Sequence, residues 1–370
     1  MLSFKSTLLT SVIFLLIGSG ITQAQNNILQ GWKTNTNKKT IDLTELKSGG
    51  PPKDGIPSID NPKFIAPDNA DSWLSEKEPV ISVEYDGEAR AYPLQILIWH
   101  EIVNDRINGD PLLVTFCPLC YSALVFDRRV DGEVLEFGVS GFLRHSDLVM
   151  FDRKTETLWQ QFNGKAIVGD YVGTTLEQIP SQIISFAQFK ENYPNGEVLS
   201  KDTGYRRSYG QNPYTGYDDV NNTPLFGAGK KDGRLPPMEK VIGVKIGQQT
   251  KSYPYSVTKE EKVINDSFSN TDIVVFHMEG AKSALDASQI SNSREDGSTG
   301  VFKRKLDNQT LTFTLDSGKI VDKQTQSEWN ITGKAVAGPL KGKQLEQVTS
   351  GDYFAFAWLV FWEDTEIYKN

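Results

Sequence analysis

Reactive side chains are scarce in this chain. Its 370 residues include only 2 cysteines, 3 histidines and 4 methionines, which excludes a disulfide-dense miniprotein. No cysteine precedes Cys117, so a lipid-anchored cysteine near the N-terminus is excluded as well. Beyond the first two dozen residues, no apolar run reaches the roughly 20 helical residues that a bilayer span requires. A basic block is also missing. Lysines and arginines are dispersed within a net charge of −8, a balance that repels nucleic acid and anionic membrane surfaces, so no nucleic-acid partner is expected. With 38% hydrophobic and 23% charged residues, the composition is neither that of a disordered tail nor of a collagen repeat.

The N-terminus carries Lys5, an apolar run from Leu8 to Gly18 and a small-residue end at Thr22-Gln23-Ala24. This pattern reads as a secretory signal peptide over residues 1–24, cleaved near Ala24. The expected location is therefore export, periplasmic or secreted, with no transmembrane segment in the mature chain.

The remainder of the chain is duplicated. Tyr92-Pro93 recurs as Tyr253-Pro254, and Val103-Asn104-Asp105 as Ile264-Asn265-Asp266. Asp152, Thr155 and Trp159 recur as Asp322, Thr325 and Trp329, and a GKA motif begins at both Gly164 and Gly333. The length suits about two domains. The expected organisation is an extended segment over 25–75, one repeat over 76–200, an irregular connection over 201–237 and a second repeat over 238–370. Within the first repeat, short β-like runs alternate with turn residues: Pro79–Tyr85, Pro111–Phe116, Ala123–Phe126, Val134–Val139, Leu148–Phe151 and Ala166–Val168. Pro93 can open a short helix that carries His100 near its end, and another helix is expected over Phe186 to Tyr193. The fold class is mainly β, with α+β open: two homologous β-rich repeats with a few short helices.

In the connection, Tyr205, Tyr209, Tyr214 and Tyr217 stand among glycine, asparagine and proline. Tyrosines in such a loop can stack on a ligand, but anchoring the loop through rings and hydroxyls is the favoured role.

The chemistry concentrates at Cys117-Pro118-Leu119-Cys120, at the end of one apparent strand and before another. A thioredoxin-type site would place a helix after the pair to lower the thiol pKa. Here Tyr121 to Phe126 reads as a strand, so the motif is a strand-turn-strand knuckle suited to holding two thiolates about a cation. His100 and Glu101 lie 17 and 16 positions before Cys117 and are the first candidates to complete a site with Cys117 and Cys120. Thiolates with imidazole suit Zn(II) or Cu(I), and Met150 or Met278 can add a thioether that favours copper. Three other roles stay open for the pair: a structural disulfide in a non-catalytic binding module, a thiol-disulfide oxidoreductase, and a cysteine nucleophile with His100 as base. The second repeat lacks the pair. Alignment of the copies sets Phe116-Cys117 on Phe276-His277 and His100 on Glu261, so a local activity is expected in the first copy alone. His277 is expected to be a core histidine, His145 a loop histidine, and the Asp152, Thr155 and Trp159 set a structural turn network.

The sequence resembles the DUF3179 family over roughly residues 45–365. The resemblance rests on GGPPKDGIPSIDNPKF from Gly49, AYPLQILIWHEIVND from Ala91, VTFCPLCYSALVFDRRVDG from Val114 and SGFLRHSDLVMFDRKTETLWQQFNGKAIVG from Ser140, extended by RSYGQNPYTGYDD from Arg207 and DGRLPPMEKVIGV from Asp232. It implies an exported or membrane-associated protein and brings no assigned reaction, substrate or catalytic residue.

Overall fold

The computed structural model describes residues 28–227 and 232–369. The signal-peptide expectation over 1–24 lies outside them. No helix among the described residues is long and apolar enough to cross a membrane.

Among the described residues the chain is β-rich, with four short α-helices and several small sheets. In the first half, Ile102–Ile107, Asp110–Cys117 and Ser122–Asp127 form an antiparallel meander with Gln178–Ile179 on its edge. A second sheet pairs Pro79–Tyr85 with Glu88–Pro93 and adds Gln182–Ser185 on one side and Glu197–Leu199 on the other. A third runs through Phe137–Arg144, Asp147–Asp152, Leu158–Gln160 and Lys165–Val168. Residues 28–78 wrap these sheets, adding two-residue strands at Lys47–Ser48 and Phe64–Ile65.

The expected strands fall in place within a residue, apart from Val134–Val139. Val134 belongs to a small hairpin, and the long strand starts at Phe137, whose N–H donates to Asn104 Oδ1 over 2.9 Å. The first helix is Leu94–His100, with Pro93 as its N-cap. The second is Phe186–Asn192, held by a capping box between Ser185 and Gln188 that satisfies two of its free N–H groups.

The element order of the first half recurs in the second. The sheet Ser350–Phe354, Lys240–Ile246, Gln249–Pro254 and Glu366–Ile367 has the strand order and directions of the sheet built on Pro79–Tyr85, less its edge strand Phe64–Ile65. The residues that match in sequence make matching bonds. Tyr92 donates to Asp105 Oδ2 over 2.6 Å and Tyr253 to Asp266 Oδ2 over 2.8 Å. Asn104 clips the backbone of Phe137, and Asn265 that of Phe313. Trp159 Nε1 donates to Asp152 and Trp329 Nε1 to Asp322, over 3.1 and 3.0 Å. These shared residues are staples that satisfy buried polar groups.

The two halves join through one apolar cluster that includes Cys117, Cys120 and Tyr121 of the first and Tyr353 to Leu359 of the second. Phe354 N donates to Cys120 O over 2.9 Å, so the cysteine knuckle sits at the junction.

Candidate metal centre

Cys117 ends the strand Asp110–Cys117, and Cys120 closes the turn before Ser122–Asp127, with Cys117 and Ser122 paired across the hairpin. Tyr121 takes a left-handed backbone, φ 57°, to turn the chain back. Both cysteines are buried free thiols.

The residue that meets them is Asp147, fully buried at the start of Asp147–Asp152. Ligand atoms of Cys117, Cys120 and Asp147 all lie within 4.8 Å of one another. The Cys120 thiol donates to Asp147 Oδ1 over 2.9 Å, and its sulfur is 3.0 Å from Ser122 Oγ. Asp147 Oδ2 accepts from Phe162 N over 3.0 Å and from the Gln160 amide. Behind them, Ser122 donates to Gln161 Oε1, and Gln161 donates to Thr115 Oγ1 over 2.8 Å. Every group that orients the sulfurs and the carboxylate is thus itself held.

Asp147 reaches the knuckle through a two-residue hairpin turn whose central residues, His145 and Ser146, both have positive φ (54° and 63°). Glycine and asparagine are the usual occupants of such a turn; other residues there are strained. Ser146 holds its strained place by donating to the Leu225 carbonyl, with the Gly227 carbonyl also in reach. His145 faces Glu45, 3.6 Å away, and the edge of the Phe361 ring.

The structure places the other proposed ligands apart from this trio. His100 is buried, with Nδ1 2.7 Å from the Pro57 carbonyl and Nε2 2.7 Å from the Tyr209 hydroxyl. A carbonyl partner puts the proton on Nδ1, leaving Nε2 to accept from Tyr209. Both ring nitrogens are therefore engaged, and burial lowers the imidazole pKa. Glu101 caps the helix Leu94–His100 in a left-handed conformation, φ 58°. Its backbone carbonyl accepts from Phe116 N over 2.8 Å, which ties the helix end to the cysteine strand. Its side chain is 8% exposed, and its carboxylate has no hydrogen-bond partner among the described residues. Met150 lies in the apolar cluster, and three positions along one strand place it on the face opposite Asp147.

The electrostatics are one-sided. Burial raises the Asp147 pKa to about 6, while burial followed by the Asp147 charge raises that of Glu101 to about 8. Burial likewise pushes both thiols up, Cys120 strongly. No lysine or arginine figures among the groups acting on these four side chains. The cluster collects groups that bind cations as anions, and the hydrogen bonds to Asp147 offset only part of the burial cost of its charge.

The connection covers it. Tyr217 donates to the Leu119 carbonyl over 2.9 Å and accepts from Leu225 N. Tyr209 holds His100, so these two tyrosines act as anchors. In the second half, His277 N donates to Lys262 O as Phe116 N does to Glu101 O. His277 thus stands at the position of Phe116, and Met278 at that of Cys117, one residue from the sequence alignment. His277 is a core histidine bonded to Thr258 Oγ1 and the Asp296 carbonyl.

Sequence reasoning missed Asp147, Gln160 and Gln161. The available signal was an aspartate opening an otherwise apolar strand, Asp147-Leu148-Val149-Met150-Phe151.

The sequence model of a family described as "Protein of unknown function (DUF3179)" matches residues 53–365. No curated protein and no solved structure matches the chain.

Proposed function

The chain belongs to the DUF3179 family, and from the geometry of its cysteine knuckle we propose that it binds a soft or borderline metal ion through Cys117, Cys120 and Asp147. The observation that carries this reading is the approach of the three ligand atoms to within 4.8 Å of one another. Tetrahedral zinc, with Zn–S near 2.3 Å and Zn–O near 2.1 Å, sets its ligand atoms roughly 3.5–4 Å apart. Cys120 Sγ and Asp147 Oδ1, 2.9 Å apart across their hydrogen bond, would open to that spacing once the thiol proton leaves, and every pair of the trio lies within 4.8 Å. Two thiolates and a carboxylate favour Zn(II) over Cu(I), because the hard oxygen suits the divalent ion and copper(I) prefers sulfur or imidazole. Glu101 stands outside the trio yet near enough for its charge to add to burial in raising the Cys117 pKa, and it is the candidate for the fourth position.

Thiol-disulfide exchange uses an accessible thiol with a depressed pKa. Cys117 and Cys120 are 2% and 0% exposed, and their pKa values move upwards, which favours the metal reading. In this proposal the protein is exported and residues 1–24 are removed, which leaves it periplasmic or secreted.

Titration of the chelator-treated protein with cobalt(II) tests the ligand set. Thiolate ligation produces a near-ultraviolet charge-transfer band, expected to saturate at one equivalent. The band should vanish in Cys117→Ser, weaken in Asp147→Ala and persist in His100→Gln. Loss in His100→Gln with persistence in Asp147→Ala would overturn the assignment.

A further inference from the structure

The two halves differ where the cysteine turn lies. In the first, residues 118–121 join the strands that end at Cys117 and start at Ser122. The matching strands of the second half end at Met278 and start at Ser298, and the long loop 279–297 joins them. That loop holds the connection: Asn212 N donates to the Ser288 carbonyl over 2.8 Å, and Gly216 N to the Asp286 carbonyl over 2.7 Å. Asp218 fastens the same stretch. Its buried carboxylate accepts from Arg294 Nη1 and Nη2, over 3.1 and 2.6 Å, and from the Ser283 hydroxyl. The Lys240 ammonium lies 3.3 Å from it and also contacts Asp296. Strand register sets Lys240 at the position of Pro79, so the first half builds the same sheet without a buried charge there. Taking ions out of water costs stability even when they are paired, and these ions hold one acid of the connection in place.

Beneath this stretch lie the sulfurs. Tyr217 donates to the Leu119 carbonyl inside the cysteine turn. Tyr214 stands close enough to Glu101 and Cys117 that, after burial, their charges raise its hydroxyl pKa. Cys117 and Cys120 are 2% and 0% exposed, so solvent reaches them only when something over them moves. The cover is thinly anchored. Of residues 201–227, the buried ones are Asn212, Tyr217 and Asp218. A segment with so little buried apolar surface opens locally, at a free energy below that of global unfolding.

We propose that residues 210–222 form a strap that opens as a unit over Cys117 and Cys120, with Asp218 as its latch, and so sets how fast metal ions and thiol reagents reach the two sulfurs. For metal ions the inference rests on the ligand set proposed above; for thiol reagents it stands without it.

Alkylation of the chelator-treated full chain by iodoacetamide without denaturant, followed by intact mass, tests the strap. Losing a charge-assisted hydrogen bond shifts an equilibrium about tenfold or more, so Asp218→Asn should speed labelling at least about that much. Tyr217→Phe removes one neutral bond and should speed it about threefold. Asp322→Ala weakens a staple outside the strap, so it should lower the urea midpoint and leave labelling unchanged. Labelling that follows the urea midpoint in every variant, or that is indifferent to both Asp218→Asn and Tyr217→Phe, would overturn the proposal. On zinc-loaded protein, a chelator should strip the metal from Asp218→Asn faster by the same factor as labelling rises. A chain that labels as expected but takes up no zinc would remove the metal reading and leave the strap, whereas zinc bound with labelling and release both indifferent to the two substitutions would remove the strap and leave the metal site.

Discussion

Replacing Asp147 by asparagine should stabilise the metal-free protein while destroying its metal site. The carboxyl is fully buried, and its pKa rises from 3.8 to about 6. Between those values the native state holds a proton that the unfolded chain has released, so stability falls as pH rises from about 4 to about 6, and the whole cost is present above that range. At 1.36 kcal/mol per pKa unit, the shift corresponds to about 3 kcal/mol. Asparagine removes the charge and keeps an oxygen to accept from Phe162 N and the Gln160 amide. It gives up the bond from the Cys120 thiol, worth about 1 kcal/mol, which leaves a net gain of about 2 kcal/mol. Urea unfolding followed by tryptophan fluorescence, with chelator present, should show this gain near neutral pH and none near pH 4. With zinc at about 100 times its dissociation constant, the wild type alone gains about 3 kcal/mol, and the order of stability reverses. An Asp147→Asn protein less stable than wild type in chelator at neutral pH would refute the claim that the hydrogen bonds to this carboxylate fall short of its burial cost.

Other consequences concern the frame around the site. The His277 imidazole, its pKa lowered to about 4 by burial, stays neutral while the unfolded chain protonates, so about 3 kcal/mol of stability is lost as pH falls from about 6.5 to about 4. Its ring proton resonance should titrate near 4, and a midpoint in the ordinary histidine range would contradict this. Asp152→Ala and Asp322→Ala should each cost about 2–3 kcal/mol in urea unfolding, because the two carboxylates hold their Thr and Trp partners alike. Unequal losses would show that the staples are not equivalent. Gly243→Val should cost about 3 kcal/mol or more by driving the Trp358 ring out of place, read as a lowered unfolding midpoint with altered near-ultraviolet dichroism.

The β-rich character was legible because alternation and turn residues are local. Pro79–Tyr85 emerges with its expected bounds, and Leu94–His100 follows from Pro93 and the apolar spacing around Trp99. The residues that recur between the halves, such as Tyr92 with Tyr253 and Asp152 with Asp322, are the ones that staple the sheets. The centre was half legible. Cys117 and Cys120 announce themselves by spacing, whereas Asp147 arrives from a hairpin 27 residues beyond Cys120, through a turn whose His145-Ser146 pair lacks the usual glycine. His100 was near in sequence, but the helix end that carries it aims the ring at Pro57 and Tyr209. Proximity along the chain says nothing about which side of a helix end faces a strand, and that direction separated His100 from the sulfurs.

The central claim is met most directly by metal analysis of the mature protein purified from its export compartment without chelator, with free thiols counted on the same sample. The account predicts one equivalent of zinc, both thiols recovered after the metal is released, and no bound metal in Cys117→Ser or Asp147→Ala. A protein that carries no metal and has Cys117 and Cys120 joined in a disulfide would contradict it.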